Sequence, residues 1–341
     1  MTIRMRTALA VLATLALTAA GPVGLTQASG NDDDHHGPHE TMTTKVFTLD
    51  PSTAGNNAEG VAWDNRSESF FVGTIGTGTI YRATLRDTTL RPFITPDPAL
   101  PADSAVGMKV SHDKLYVAGG PTGSIYVYEI KSGALLARFE TQTGGFLNDL
   151  VVTKKGDVYV TDSFRPMIWH LTPAMVKAAS GTPEGIPVGP EIAYTAGAFN
   201  LNGIVARRGG RELIVVNSST KSLFRIDIDR NNTAARVITK IDAPALGGDG
   251  LLIDRGRLLV VTGNPAAVTV LKLSRHDLRA TVDKVLTDPS LRVPSTIARA
   301  KNRYLVVNAD FNPAVFRPYT VSALPRGHGD GHDDGHSDGH R

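Results

Sequence analysis

The chain has 341 residues, of which 41% are hydrophobic and 20% charged; it has no cysteine and a formal charge of +3. Lys and Arg are scattered among acids with no basic stripe and no aromatic RNA-binding motif, which argues against nucleic acid as a partner. The absence of cysteine excludes a disulfide framework and a lipid-modified cysteine anchor.

Arg4 and Arg6 precede an apolar run from Ala8 to Ala20, and small residues follow up to Ala28. This is the pattern of a secretory signal peptide over 1–28, too short for a membrane span. Secretion to the extracellular space or periplasm, with no stable membrane anchor, is the expectation. Residues 31–40 read NDDDHHGPHE and residues 327–341 read GHGDGHDDGHSDGHR, so seven of the ten histidines lie in two polar tracts. Neither tract can bury enough apolar surface to order itself, and both 29–42 and 323–341 are expected to be disordered. Imidazole and carboxylate side chains recurring every few residues suit Zn2+, Ni2+ or Cu2+.

Between the tracts, over 43–322, one phrase recurs. It reads EGVAW from Glu59, VGMKV from Val106, NDLVV from Asn148, NGIVA from Asn202, DGLLI from Asp249 and STIAR from Ser295. The intervals are 47, 42, 54, 47 and 46 residues. Each copy is followed by a turn, a second strand (Ser69–Gly73 in the first, Tyr304–Asn308 in the last), a hairpin and a third strand. The last third strand is expected at Ala314–Tyr319. A period of this size with several short strands per unit predicts an all-β fold, a six-bladed β-propeller. The last copy lacks an outer strand, and Thr43–Leu49 (TTKVFTL) is expected to supply it, closing the ring with an N-terminal strand. Thr172-Pro173 heads a short helix, placed in an inter-blade loop.

In a propeller the innermost strands line one channel, so the residues that head the six phrases converge. Glu59, Asn148, Asn202 and Asp249 would gather two carboxylates and two amides, with Asp149 beside them. Clustered buried carboxylates repel and are costly to desolvate, and a divalent cation relieves both costs. Hard oxygen donors without His or Cys point to Ca2+ or a similar cation. Taken singly, Asn-Gly and Asp-Gly are ordinary turn dipeptides. The remaining histidines, His112, His170 and His276, are expected to be structural or on the surface. Ser218–Lys221 matches S-x-x-K without its companion motifs.

The segments AEGVAWD at Glu59, LNDLVVTKKGDVYVTDS at Asn148, LNGIVARRGGRELIVVNSS at Asn202 and GDGLLIDRGRLLVV at Asp249 resemble the regucalcin/gluconolactonase family (senescence marker protein type) of six-bladed propellers. The diisopropylfluorophosphatases and paraoxonases are more distant. The resemblance implies that Glu59, Asn148, Asn202 and Asp249 hold a catalytic divalent cation, usually calcium. It implies hydrolysis of a lactone, ester or phosphoester, with Asp249, or alternatively Asp149, as general base. Phe146 stands where regucalcin-type enzymes carry a substrate-binding arginine. The expected partner is a small-molecule substrate and the expected state a monomer. The rival reading is a non-catalytic extracellular binding module with a structural calcium.

Overall fold

A computed structural model describes residues 42–50, 57–96, 104–229, 232–311 and 318–327. The expected signal peptide and nearly all of both histidine-rich tracts lie outside them. After β1 (Lys45–Leu49) the strands fall into consecutive groups of four. The first is β2 (Ala58–Asp64), β3 (Ser69–Thr74), β4 (Ile80–Thr84) and β5 (Thr89–Ile94). The second is β6 (Met108–Ser111), β7 (Lys114–Ala118), β8 (Ser124–Glu129) and β9 (Leu135–Glu140). The third is β10 (Leu147–Val152), β11 (Val158–Asp162), β12 (Met167–Leu171) and β13 (Glu184–Pro187). The fourth is β14 (Leu201–Arg207), β15 (Glu212–Asn217), β16 (Ser222–Asp229) and β17 (Asn232–Lys240). The fifth is β18 (Gly248–Asp254), β19 (Arg257–Thr262), β20 (Ala267–Leu273) and β21 (Ala280–Leu286). The last is β22 (Pro294–Ala300), β23 (Arg303–Asn308) and β24 (Thr320–Pro325), whose outer place is taken by β1. Each group is an antiparallel meander, and the six innermost strands pack side by side in a closed ring. The fold is a six-bladed β-propeller.

The middle strands show why a single blade cannot stand alone. In β3, Phe70 and Val72 face the last blade while Phe71 faces the second, so strict alternation buries both faces. Six apolar clusters result, one in each seam between neighbouring blades. The closing seam is built like the others. Strand β1 pairs antiparallel with β24 (Phe47 opposite Val321) and parallel with β5 (Leu49 opposite Leu90). Phe47, Leu49 and Val321 are buried there with Val61 and Leu305.

Two local expectations are corrected. The last third strand is Thr320–Pro325, beyond the expected Ala314–Tyr319 and three residues past the expected domain end. Its position is set by the ladder with β23, from Asn308 opposite Thr320 to Arg303 opposite Pro325, which turns Val321 and Ala323 into the core. The helix α1 (Pro173–Ala178) is capped by Thr172, whose side chain accepts from the Met175 N–H, but it joins β12 to β13 within one blade.

The phrase glycines have a packing role. A Cβ on Gly60 would lie 1.8 Å from the Val106 carbonyl oxygen, one on Gly107 2.5 Å from that of Asn148, and one on Gly203 2.4 Å from that of Asp249. Gly250 faces Ser295 and Thr296 in the same way, with Thr296 Cα 2.7 Å from the added carbon. Each glycine therefore lets an inner strand close onto the lead residue of the next copy. Gly60→Ala or Gly203→Ala should lower unfolding free energy by about 3 kcal/mol or more in urea titrations, whereas Gly209→Ala, with open space around its Cβ and only its left-handed backbone (φ 70°) to oppose the change, should cost about 1 kcal/mol.

Candidate functional site

The lead residues sit at a recurrent irregularity. In five blades the ladder between the first two strands shifts register at the phrase, skipping Glu59-Gly60, Asn148-Asp149, Asn202-Gly203, Asp249-Gly250 and Ser295-Thr296. A bulge of this kind bends the strand and re-aims its side chains. Where the glycine is replaced, a hydroxyl serves the neighbouring carbonyl. Thr161 Oγ1 donates to the Asn202 carbonyl at 2.6 Å, and Ser295 Oγ and Thr296 Oγ1 donate to that of Glu59 at 2.8 and 2.5 Å.

Glu59, Asn148, Asn202 and Asp249 converge on one cavity of about 560 Å³, which Val106 also lines. Glu59, Asn148 and Asn202 are buried, whereas Asp249 keeps part of its surface open to the cavity. Each of the four presents one buried oxygen without a hydrogen-bond partner: Glu59 Oε2, Asn148 Oδ1, Asn202 Oδ1 and Asp249 Oδ1. The orientation of the two amides follows from their neighbours. Ser163 Oγ donates to the Leu201 carbonyl at 2.6 Å, so it accepts from Asn148 Nδ2 at 2.9 Å. Ser218 Oγ donates to the Gly248 carbonyl at 2.5 Å and accepts from Asn202 Nδ2 at 3.2 Å. Both amides therefore turn their oxygens to the cavity.

Ser163 and Ser218 are site residues to which the sequence assigned no role at the ring, Ser218 having appeared only as the head of an S-x-x-K match. Each follows the β11 or β15 residue that pairs with the residue preceding the lead asparagine (Asp162 opposite Leu147, Asn217 opposite Leu201). In the two acidic blades the matching places are Ile75 and Gly263, which offer no side-chain donor. The recoverable signal is therefore serine after the second strand wherever the lead residue is an amide. Ser295, though heading the sixth phrase, gives its hydroxyl to the Glu59 carbonyl.

Asp149, expected as an alternative base, does not line the cavity. Its Oδ1 accepts from Lys109 Nζ at 2.7 Å and from the Leu150 N–H at 2.8 Å, and Oδ2 lies 3.5 Å from the Ile204 N–H. Its charge acts on the ring instead. Burial, with Asp249 and then Asp149 nearby, pushes the Glu59 carboxyl well above the usual carboxylate range, and Lys109 opposes this. Burial and Asp149 push Asp249 up to about 8 against a hydrogen bond from Asn202. Among the described residues no three His, Asp or Glu side chains cluster as a metal site. The oxygen set is two carboxylates and two amide carbonyls, four unpartnered acceptors that fit a hard cation. His112 and His276 are exposed, and His170 is buried against Asp157 and Tyr159 away from the cavity.

The raised Asp249 carboxyl binds a proton in the folded chain that the unfolded chain has released. The resulting penalty is absent below about pH 4, grows as pH rises to about 8, and is constant beyond. With chelator present, Asp249→Asn should therefore melt higher than the parent at pH 8 by about 5 °C, with the gap shrinking towards pH 4.5 in a calorimetric pH series.

Residues 57–298 match the family described as the SMP-30/gluconolactonase/LRE-like region. No curated protein sequence matches the chain significantly. Among solved structures, a calcium-binding regucalcin from Agrobacterium tumefaciens superposes with a TM-score of 0.60 at 16% identity, over 80% of this chain and 91% of that one. A luciferin-regenerating enzyme gives 0.57 at 13% identity, over 83% and 96%, and a streptogramin B lyase gives 0.57 at 12%, over 83% and 97%. At these identities the structures share the fold alone, whereas the sequence match spans more than half of the chain. The chain belongs to the SMP-30/gluconolactonase/LRE-like family.

Proposed function

We propose that the protein is a secreted, calcium-dependent hydrolase of a lactone, ester or related electrophile. The observation that carries this is the set of four buried oxygens, one from each of Glu59, Asn148, Asn202 and Asp249, all unpartnered and facing one cavity. Buried acceptors left without donors are costly, and a hard cation of charge +2 satisfies them while balancing two carboxylates. The cation would supply Lewis acidity towards a carbonyl or phosphoryl oxygen. The chain's own residues do the rest. Asn148 and Asn202 are held by Ser163 and Ser218 with their oxygens inward, so little reorganisation is needed. Asp249 is the candidate base, its carboxylate placed at the cavity to take a proton from water. Asp149, ion-paired with Lys109, shapes the field behind it. The secretory part of the proposal rests on the amino-terminal pattern of Arg4, Arg6 and Ala8–Ala20. Among the described residues no helix is long and apolar enough to cross a membrane.

A panel of lactones and aryl esters, assayed with calcium and with chelator, tests the reading. Turnover should require calcium and fall by roughly 100-fold or more in Asp249→Asn and Glu59→Gln. Calcium binding without turnover of any member would instead make the chain a binding module, and neither binding nor turnover would refute both readings.

The histidine-rich tracts enter the proposal as a separate store for Zn2+, Ni2+ or Cu2+. Support comes from where the fold releases them. Strand β1 and strand β24 pair with Lys45 opposite Ala323, and Arg303 Nη1 donates to the carbonyls of both Thr43 and Ala323 at 2.7 and 2.8 Å. The chain thus enters β1 and leaves β24 at the same end of one strand pair. Deleting 327–341 should cut zinc uptake in equilibrium dialysis by about half or more, without altering calcium affinity at the channel.

A further inference from the structure

The cavity above the oxygens has an apolar wall that the hydrolase proposal leaves unused. Phe146, in the position of the family's substrate arginine, lines it and is buried. Phe199 also lines it, lies 5.1 Å from Phe146 in an edge-to-face contact, and is 48% exposed. Phe164 completes a triangle, 5.6 Å from Phe146 and 5.1 Å from Phe199, and is 43% exposed. Among the described lining residues there is no Lys, Arg or His, so a sugar-acid carboxylate would find no cation there.

Exposed aromatics on loops ordinarily mean little, but these two loops are pinned. Asp162 is fully buried, and its Oδ1 accepts the N–H groups of Phe146, Phe164 and Arg165 at 3.0, 3.1 and 3.0 Å. Its Oδ2 accepts from Arg165 Nε and Trp169 Nε1 at 3.1 and 3.2 Å. The loop bearing Phe199 is tied by Asn200, whose Oδ1 accepts the Thr195 N–H at 2.8 Å and whose Nδ2 reaches the carbonyls of Ser163, Thr195 and Ala198. Two buried polar residues thus hold an apolar wall rigidly open towards solvent. Such preorganisation is unfavourable in the empty protein and favours a guest that covers the rings.

Building on the hydrolase reading, we infer that the substrate carries an aromatic substituent a few atoms from its reacting carbonyl, seated against Phe146 and Phe199, with Phe199 as the specificity-determining residue and Phe164 bracing it from outside the lining. A volume of about 560 Å³ takes a small ring plus an aryl group. The edge-to-face pair of Phe146 and Phe199 presents the geometry in which a further ring packs.

Lactam analogues, which resist hydrolysis, separate this inference from the reaction. Binding of 5-phenyl-2-pyrrolidinone and 5-hydroxymethyl-2-pyrrolidinone would be measured by calorimetry in calcium buffer. The phenyl compound should bind the parent protein at least about tenfold more tightly. In Phe199→Ala that advantage should fall below about threefold, with Phe199→Leu intermediate, whereas Leu136→Ala on an outer strand should keep it whole. Phe199 is nearly half exposed, so its variants should keep the parent's thermal midpoint to within about 2 °C. Equal binding of the two lactams by the parent, or an undiminished advantage in Phe199→Ala, would overturn the inference. A protein that prefers the phenyl lactam yet hydrolyses no lactone or aryl ester would refute the hydrolase and leave the aromatic seat standing.

Discussion

Everything in this molecule hangs on how closely its inner strands approach one another. At four of the six junctions a glycine Cα lies against backbone of the next copy, in a space that an added Cβ cannot enter. Close approach without side chains draws the lead residues together around the axis. The register shift at the same place turns their side chains off the ladder and into the cavity. Six apolar seams hold that arrangement in place, so the position of a ring side chain is determined by packing spread over the whole propeller.

The chemistry of the ring follows from an imbalance built into this frame. Hydroxyls occupy the places beside Asn148 and Asn202 and accept their amide hydrogens, whereas Ile75 and Gly263 occupy the corresponding places beside the acids. The result is a surplus of buried acceptors. Asp149 adds negative charge from behind and raises the proton affinity of Glu59 and Asp249, with Lys109 limiting the effect. An ordinary core would not tolerate such a surplus, because orphaned buried oxygens are among the more destabilising features a fold can carry. Its location at the one point where all blades meet is why it reads as a site.

The cavity is also asymmetric. Its aromatic pair, Phe146 and Phe199, comes from the third and fourth blades through loops anchored on Asp162 and Asn200, and its charged members lie in the first and fifth. A polar floor beneath an apolar wall orients an amphipathic small molecule without any contribution from a cationic side chain.

The amino-acid sequence by itself determined the architecture and the four oxygen-bearing residues. Alternating apolar residues, turn dipeptides and a repeat interval are local signals, and the repeat makes Glu59, Asn148, Asn202 and Asp249 equivalent without reference to any contact. Even the helix after Thr172 was legible from its cap, though not its place within a blade. Only the tertiary structure decided the rest. Val321 and Ala323 belong to the last strand, because the ladder with β23 sets that register. Asp149 lies outside the cavity lining, Ser163 and Ser218 orient the amides, and Phe146 and Phe199 form one wall. These assignments depend on which side chains from separate blades meet. Pairing register and inter-blade distance decide that, and neither is written in any single segment of the chain.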